Sequence, residues 1–173
     1  MTKSQRWDSK SEMIHHVQSF QNHMLLGGES ETPYRFVSYT FQFEEKTICL
    51  GLMFSQSLSP SLKWLTKSSL VALGYDDRIN IIDVNLLKLV NEFQLDGVLC
   101  DLISTQSKDI FLAIYETGCL ALDGNGQLLW IYTAGDLVEG WVVTKNCLQL
   151  TISDQISKEN VDIYIGEKIE HIQ

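Results

Sequence analysis

Hydrophobic and polar positions follow two different periods along this chain, and the change falls near Pro33. Within residues 9–25, apolar residues recur at three- and four-residue steps, at Met13, Val17, Phe20 and Met24. This spacing places them on one helix face. Ser9 and Glu12 stand at the spacing of a capping box, and Gly27 and Gly28 follow the apolar stripe. The pattern predicts a helix over residues 9–25 that packs its stripe against a sheet.

After Pro33 the period becomes two, which is the period of a half-buried strand. Residues 37–43 alternate, a polar turn follows at Glu44-Glu45-Lys46, and residues 47–54 form an apolar run. These features predict a hairpin over residues 33–54. Short β-type runs separated by turn residues then continue, near residues 62–65, 70–75, 79–84, 88–94, 98–103, 110–115, 119–122, 127–133, 138–143, 147–152 and 161–165. Strands at this spacing without helices between them are typical of an antiparallel, mainly β fold.

Two stretches of the chain repeat each other. Val71–Ser104 aligns with Leu112–Val143 at an offset of 39 to 41 residues, and a third unit starts at Cys147. The matched pairs are Asp83 with Asp123, Asn85 with Asn125, Leu89 with Leu128, and Phe93 with Tyr132. A period near 40 residues with four strands in each unit is the pattern of propeller blades.

The second unit carries a more specific motif. Ala121-Leu122-Asp123, then Gly126 and Trp130, resemble the repeats of quinoprotein-like and WD-type β-propellers. The resemblance covers residues 70–143. It implies that Gly126 makes a hairpin turn and that Trp130 packs between neighbouring blades. The first unit departs from the motif, because Val90 or Asn91 stands where the tryptophan would be and no glycine follows Asp83.

The length limits what these repeats can build. A closed propeller needs at least four blades of about 40 residues, and about 145 residues follow the predicted helix. We therefore expect blade-like antiparallel sheets that are open or sandwich-like, with one N-terminal helix. The chain is expected to form a single domain, residues 1–173, in which the repeats occupy residues 62–166. Pyrroloquinoline quinone binding does not follow from the resemblance, since the family's cofactor positions find no match, and no cofactor is predicted.

The net charge of −9 is unevenly distributed. Residues 1–86 carry eight basic and nine acidic residues, whereas residues 87–173 carry five and thirteen. From Glu92 to Glu139 there are eight acids and one base, Lys108. Such a surface repels nucleic-acid phosphates and anionic membranes, and it attracts a basic protein. Scattered acids can also serve only to keep a sheet-rich protein soluble.

The sequence shows neither a signal peptide nor a membrane span, since its longest apolar candidate is Ile48–Phe54. The four cysteines are in aliphatic surroundings without metal-ligand spacing, at Cys49, Cys100, Cys119 and Cys147. We expect reduced, buried thiols in a cytoplasmic, bacterial-type protein.

Candidate chemistry is sparse. On the predicted helix Glu12, His16 and His23 share one face, but the two histidines are about 10 Å apart along the axis, too far for one metal ion. His171 is near the C-terminus. Residues 123–127 place oxygen ligands at alternate positions as a calcium loop does, yet they lack its glycine and its bidentate glutamate, and a hairpin turn explains them. Nucleophile-elbow, phosphate-loop and H-E-x-x-H motifs are absent, so neither a metal nor catalytic residues are predicted.

The predicted function is therefore a non-enzymatic protein-binding module. Its partner-binding candidates are the acids of the C-terminal half and two tryptophans with polar or basic neighbours: Asp96, Asp101, Asp136, Glu139, Trp7 and Trp64. A specific version is an acidic immunity-type inhibitor of a basic toxin or nuclease. The alternatives are a small enzyme or ligand-binding protein whose site is built from loops, and a homo-oligomer completed through sheet edges.

Overall fold

The computed structural model describes residues 2–28, 35–56, 58–65, 69–105, 109–153 and 157–169. In these ranges the protein is mainly β with one helix, arranged in four sheets of which none is closed, as predicted. The chain divides into two compact units, Met1–Ser57 with Asp83–Leu89, and Leu58–Ile82 with Val90–Gln173. The single-domain arrangement of residues 1–173 stays a prediction. Predictions also fell on Pro33, Lys108 and His171, which lie outside the described residues.

The first unit contains the helix and one four-stranded sheet. Its elements are β1 (Lys3–Trp7), α1 (Lys10–Gln18), β2 (Asn22–Gly27), β3 (Arg35–Phe43) and β4 (Lys46–Phe54). The strand order in sheet 1 is β1-β3-β4-β2, and β2 runs parallel to β4. The predicted β3–β4 hairpin is confirmed, with its turn at Glu44-Glu45.

The predicted helix over residues 9–25 is wrong in its second half. Ser9 caps the helix start as expected, because its side chain accepts a bond from the Glu12 backbone N–H at 3.2 Å. The helix ends at Gln18, where the Ser19 hydroxyl and N–H both donate to the His16 carbonyl. Residues 22–27 instead form β2, whose backbone pairs along the buried strand β4. A short apolar run fits a helix or a strand by its period alone, and the strand pairing decides here.

The helix packs closely on sheet 1. Met13 and Val17 are fully buried and contact Cys49 and Met53 of β4. Gly51 makes room for this approach, because a Cβ atom there would lie 2.8 Å from the Val17 side chain. None of the described helical structure is long and apolar enough to cross a membrane.

The repeats form three sheets and belong to the second unit except at Asp83–Leu89, which is grouped with the first unit. Sheet 2 has the order β5-β6-β7-β8, sheet 3 the order β12-β11-β10-β9, and sheet 4 the order β13-β14-β15. The strands are β5 (Ser61–Trp64), β6 (Leu70–Tyr75), β7 (Arg78–Asp83), β8 (Lys88–Gln94), β9 (Leu99–Ser104), β10 (Ile110–Tyr115), β11 (Gly118–Asp123), β12 (Leu128–Thr133), β13 (Val138–Val143), β14 (Cys147–Ile152) and β15 (Ser157–Asp162). The sequence repeat is thus a repeat of strands, since β6, β7 and β8 start 40 residues before β10, β11 and β12.

Sheet 3 is buried on both faces, as the alternation along β10 shows. Phe111, Ala113 and Tyr115 belong to an apolar cluster that also contains Ile79 and Ile81 of sheet 2. The residues between them, Ile110, Leu112 and Ile114, belong to a second cluster shared with β14 of sheet 4. Successive sheets therefore pack face to face, as propeller blades do.

Trp130 and Gly126 have the roles that the resemblance implies. Gly126 lies in the β11–β12 turn with a φ of 74°, which a glycine adopts without strain. Trp130 of β12 packs on Gly166 beyond β15, where a Cβ atom would lie 2.5 Å from the indole ring. The indole N–H donates to the Ile163 carbonyl at 2.9 Å. Trp130 thus joins sheet 3 to the turn that follows sheet 4.

The last repeat differs from its prediction. Its strand is Ser157–Asp162 rather than residues 161–165, because residues 163–165 form a turn that the Asp162 carboxylate holds. Beyond it, Lys168 pairs with Val161, and the Asp162 N–H donates to the Glu167 carbonyl at 2.9 Å. The same bond occurs just before β12, where the Asp123 N–H donates to the Gln127 carbonyl at 2.9 Å. Residues 167–169 therefore pair with β15 in the way that β12 pairs with β11.

Glu159 links sheets 3 and 4 through hydrogen bonds. Its carboxylate accepts from the Tyr132 hydroxyl at 3.0 Å and from the Lys168 ammonium at 2.8 Å. Burial raises the pKa of Glu159, but the bonds from Lys168 and Tyr132 together outweigh burial and lower it below its usual value. Burial and the neighbouring Glu159 carboxylate raise the pKa of Tyr132 to about 12.

This contact makes stability depend on pH. A carboxyl group whose pKa is lower in the folded chain stabilises the fold above its unfolded pKa and loses that effect as the pH falls. We expect Glu159→Gln to lower the free energy of unfolding by about 1 kcal/mol at neutral pH, with the difference vanishing between about pH 5 and pH 3. Urea unfolding across this range measures it. Glu167→Gln, at an exposed position, is the control, and an equal pH dependence in both variants would contradict the assignment.

Candidate protein-binding site

One end of the second unit is built from two kinds of loop. The turns Asp76-Asp77 and Glu116-Thr117 join the second and third strands of sheets 2 and 3. The connectors 95–98 and 134–137 lead from the outermost strand of one sheet to the first strand of the next. Since both kinds recur at the repeat distance, the end has a regular backbone.

Main-chain hydrogen bonds join each connector to a turn. Leu95 N–H donates to the Asp77 carbonyl and Leu99 N–H to the Asp76 carbonyl, both at 2.7 Å. In the next repeat Ala134 N–H donates to the Thr117 carbonyl at 2.9 Å, and Val138 N–H to the Glu116 carbonyl at 2.8 Å. The Thr117 hydroxyl also donates to the Asp96 carbonyl, which links the connector of one repeat to the turn of the next. The four segments therefore form one continuous surface.

This surface is acidic. Its four segments contain five acidic residues and no basic one: Asp76, Asp77, Asp96, Glu116 and Asp136. We call these five residues the acidic end. Asp96 and Glu116 are exposed, and the other three are half-buried. Arg78 follows the first turn and pairs with Asp77 at 3.6 Å and with Glu92 at 3.3 Å. Leu137 adds an apolar side chain that is 50% exposed.

The four predicted acids are distributed over three places. Asp96 and Asp136 belong to the acidic end. Glu139 is exposed in β13 directly after the second connector, at a bulge where Val138 pairs with Ile152 and Gly140 with Thr151. Asp101 is half-buried within β9, and its carboxylate accepts the Leu102 N–H at 2.7 Å. The structure thus brings two of the four together and places a third beside them along the chain.

The two predicted tryptophans lie in different units. Trp7 is half-buried in β1, where its indole N–H donates to the Ser38 hydroxyl at 3.0 Å and its ring lies 4.6 Å from that of His16. Trp64 is in β5 and is 37% exposed. Of the two, Trp64 has the exposure that an anchor for a partner needs.

Sequence reasoning missed Asp76, Asp77 and Glu116 as members of the site. Asp76 and Asp77 stand between the predicted strands at residues 70–75 and 79–84, and the structure places them in the turn between β6 and β7. The signal that could have found them is the repeat itself, because an offset of 40 residues matches Asp76 with Glu116 and Asp96 with Asp136. Acids at matched loop positions of successive blades lie at the same end.

The other residues considered for metal binding or catalysis have structural roles. His23 is in β2 rather than on the helix, and its Nδ1 lies 2.7 Å from the Phe20 carbonyl. Within the described ranges, no group of three or more histidines, cysteines or acids could hold a metal ion. The Asp123 carboxylate accepts the N–H groups of Asn125 and Gln127, each at 2.8 Å, so it holds the turn. Burial raises the pKa of all four cysteines, which keeps their thiols protonated.

A cleft of about 320 Å³ lies in the first unit. It is lined by basic, acidic and aromatic side chains, namely Arg6, Trp7, Asp8, Arg35, Phe36 and Phe54. Guanidinium groups beside aromatic rings favour a planar anion.

Comparison with known proteins supports the fold but assigns no family. No family model and no curated protein sequence matches this chain. Among solved structures, apo AztD from Citrobacter koseri is 14% identical with a TM-score of 0.52, over 86% of this chain and 45% of that chain. Hydrazine synthase from Kuenenia stuttgartiensis is 13% identical with a TM-score of 0.45, over 66% of this chain and 37% of that one. The chain spans less than half the length of either. AztD is a β-propeller-type protein, and the likeness to it shows a propeller-like fold.

Proposed function

We propose that this protein is a non-enzymatic protein-binding module whose acidic end binds a basic partner. The observation that carries the proposal is the convergence of Asp76, Asp77, Asp96, Glu116 and Asp136 on one loop surface without a basic residue in its four segments. Carboxylates gathered in this way produce a negative potential that steers a cationic protein and speeds its association.

The backbone of this surface supports binding with little rearrangement. Connectors and turns are held to each other by main-chain bonds, so the loops are ordered before a partner arrives. An ordered surface spends less conformational entropy on binding than a flexible loop does. Leu137 supplies apolar area beside the acids, which a partner can cover.

The test compares two variants with the same change in net charge. Asp76→Asn/Asp96→Asn/Asp136→Asn removes three charges from the acidic end, and Glu12→Gln/Glu44→Gln/Glu45→Gln removes three exposed charges of the first unit. The full chain is immobilised, proteins of its host are captured at low salt, and the dissociation constant of each captured protein is measured. We expect basic proteins to be captured and the first variant to bind them about tenfold more weakly, about 1.4 kcal/mol, with the control unchanged.

Two results would contradict the proposal. One is the capture of neutral or acidic proteins only. The other is an equal loss of affinity in both variants, which would mean that net charge alone acts and that the acidic end has no special role. Raising the salt concentration weakens the expected complex, because exposed charges are screened within about 8 Å at physiological ionic strength.

The finer proposal is an immunity-type inhibitor, in which the basic partner is a toxin or nuclease. Its support is the combination of small size, net negative charge and an ordered acidic surface. A nuclease among the captured proteins whose activity falls in step with binding would support this version. A captured partner that keeps full activity in the complex would contradict it.

The cleft of the first unit favours a second candidate, a ligand-binding protein. Arg6 and Arg35 beside Trp7, Phe36 and Phe54 match the chemistry of an aromatic carboxylate. Because Trp7 is the one of the four tryptophans that lines the cleft, we expect benzoate-type anions to change the fluorescence of the wild type and not that of Trp7→Phe. An equal response of both proteins would contradict this candidate.

A further inference from the structure

The β11–β12 turn contains the only asparagine–glycine pair of the sequence, Asn125-Gly126. In such a pair the backbone nitrogen of the second residue can attack the side-chain amide carbon of the first. Glycine offers the least steric hindrance to this attack. Asn125 is exposed, so water reaches its amide group.

Asp123 holds both nitrogens that take part in this reaction. The Gly126 N–H, which would be the nucleophile, donates to the Asp123 carbonyl at 3.0 Å. The Asn125 amide nitrogen, which would be the leaving group, donates to an Asp123 carboxylate oxygen at 3.4 Å. The other carboxylate oxygen accepts the Asn125 and Gln127 N–H groups. Attack therefore requires the turn to open.

We propose that Asn125 is a site of spontaneous deamidation and that Asp123 limits its rate. In the reaction the Gly126 nitrogen loses its proton and bonds to Cγ of Asn125. The amide nitrogen leaves as ammonia, and a five-membered succinimide remains. Water then opens the succinimide at one of its two carbonyl carbons, which gives aspartate or isoaspartate. The reaction needs water alone and no oxidant or reductant.

The product would disturb the turn for two reasons. It adds a negative charge beside the Asp123 carboxylate, which repels it. Isoaspartate also adds a methylene group to the backbone just before Gly126, which is buried with a φ of 74° and whose Cβ position lies 2.7 Å from Ile81. The added length cannot keep Gly126 against sheet 2, so we expect the modified chain to unfold at a lower urea concentration.

The chain contains its own control. In the β7–β8 turn, Asp83 accepts the Asn85 N–H at 2.9 Å and the Leu86 N–H at 3.1 Å, so the carboxylate caps that turn as Asp123 caps this one. Asn85 is exposed as well, but leucine follows it. The two turns thus share a carboxylate cap and differ in the residue that supplies the nucleophile. They differ also at the amide, since the Asn85 amide oxygen accepts from the Lys46 ammonium at 3.0 Å.

The experiment incubates the full chain in mildly alkaline buffer, folded or in guanidinium chloride, and follows tryptic peptides by mass spectrometry. The peptide 109–145 contains no asparagine except Asn125. We expect this peptide to gain the mass of an amide-to-acid exchange and to contain an isoaspartyl group. The reaction should be severalfold faster in the unfolded chain than in the folded chain, while Asn85 stays intact. Asn125→Ser should abolish the change.

The role of Asp123 is tested with Asp123→Ala in native buffer. We expect its Asn125 to react severalfold faster than in the wild type, because the carboxylate bonds are lost, but more slowly than in the unfolded chain, because the main-chain carbonyl of residue 123 still accepts the Gly126 N–H. If this variant does not fold, Asp123→Ser keeps one acceptor and should give an intermediate rate. An unmodified Asn125 in folded wild type, after the unfolded sample has fully reacted, would overturn the site. Equal rates in the folded wild type and in the Asp123 variant would overturn the role of Asp123.

Discussion

Replacing Gly118 by alanine is expected to lower the free energy of unfolding by about 3 kcal/mol, because the new methyl group meets backbone rather than a side chain. Gly118 starts β11 and pairs with Thr133 of β12. A Cβ atom there would overlap the Tyr132 carbonyl oxygen and lie 3.2 Å from the Thr133 Cα. A side chain could rotate away, but backbone must move, which breaks the pairing of β12 with β11. Urea unfolding followed by tryptophan fluorescence measures the change.

Gly135→Ala is the matched control. A Cβ atom at Gly135 would meet nothing nearer than the Glu159 carboxylate at 3.9 Å, so the methyl group has room. We expect its effect to stay within about 0.5 kcal/mol of zero. A similar loss at both glycines would mean that backbone flexibility, and not the clash with Tyr132, explains the first result.

The second large effect is expected at Trp130. Truncation to alanine removes the indole that packs on Gly166 and the bond to the Ile163 carbonyl. We expect a loss of about 3 kcal/mol, at the lower end for a tryptophan because the ring is half-buried. Trp130→Phe should lower the free energy of unfolding by less, since it keeps an aromatic ring and loses only the hydrogen bond and part of the packing area.

The preceding repeat supplies the control for Trp130. Val90, one of the two residues at the matching position of β8, is 47% exposed. We expect Val90→Ala to change the free energy of unfolding by less than about 0.5 kcal/mol. Equal effects of Trp130→Ala and Val90→Ala in thermal or urea unfolding would show that the indole does not join sheets 3 and 4 as described.

The sequence predicted the repeated strands well because their signal is local. Strands such as Leu70–Tyr75 and Ile110–Tyr115 are buried runs bounded by turn residues, and the repeat gives each a second copy. The parallel strand β2 lacked such a signal, since Met24 fits a helix stripe as well as a strand. β1 carried no pattern, because an edge strand whose residues are largely exposed needs no apolar alternation.

Only two of the five residues of the acidic end could be identified from the sequence, and the reason is related. Charge density identified Asp96 and Asp136, but charge alone cannot separate loop acids from Asp101, which is half-buried within a strand. The missing information was which acids share an end of the sheets. That depends on the strand order and on the bonds between connectors and turns, which arise only when the sheets pack.

The bonds between connectors and turns have a consequence for how such a surface can change. The bonds donated by Leu95, Leu99, Ala134 and Val138 join main-chain groups only, so they form whatever side chains those loops carry, provided that each donor keeps its N–H. Asp96 is exposed and contributes only its carbonyl to these bonds, so it can be exchanged for a neutral or basic residue with little effect on folding. Asp76 has a φ of 48°, which restricts its replacements mainly to asparagine and glycine. At a position such as Asp96, partner preference and thermal stability are therefore separable, and natural or laboratory selection can alter one while the other stays constant.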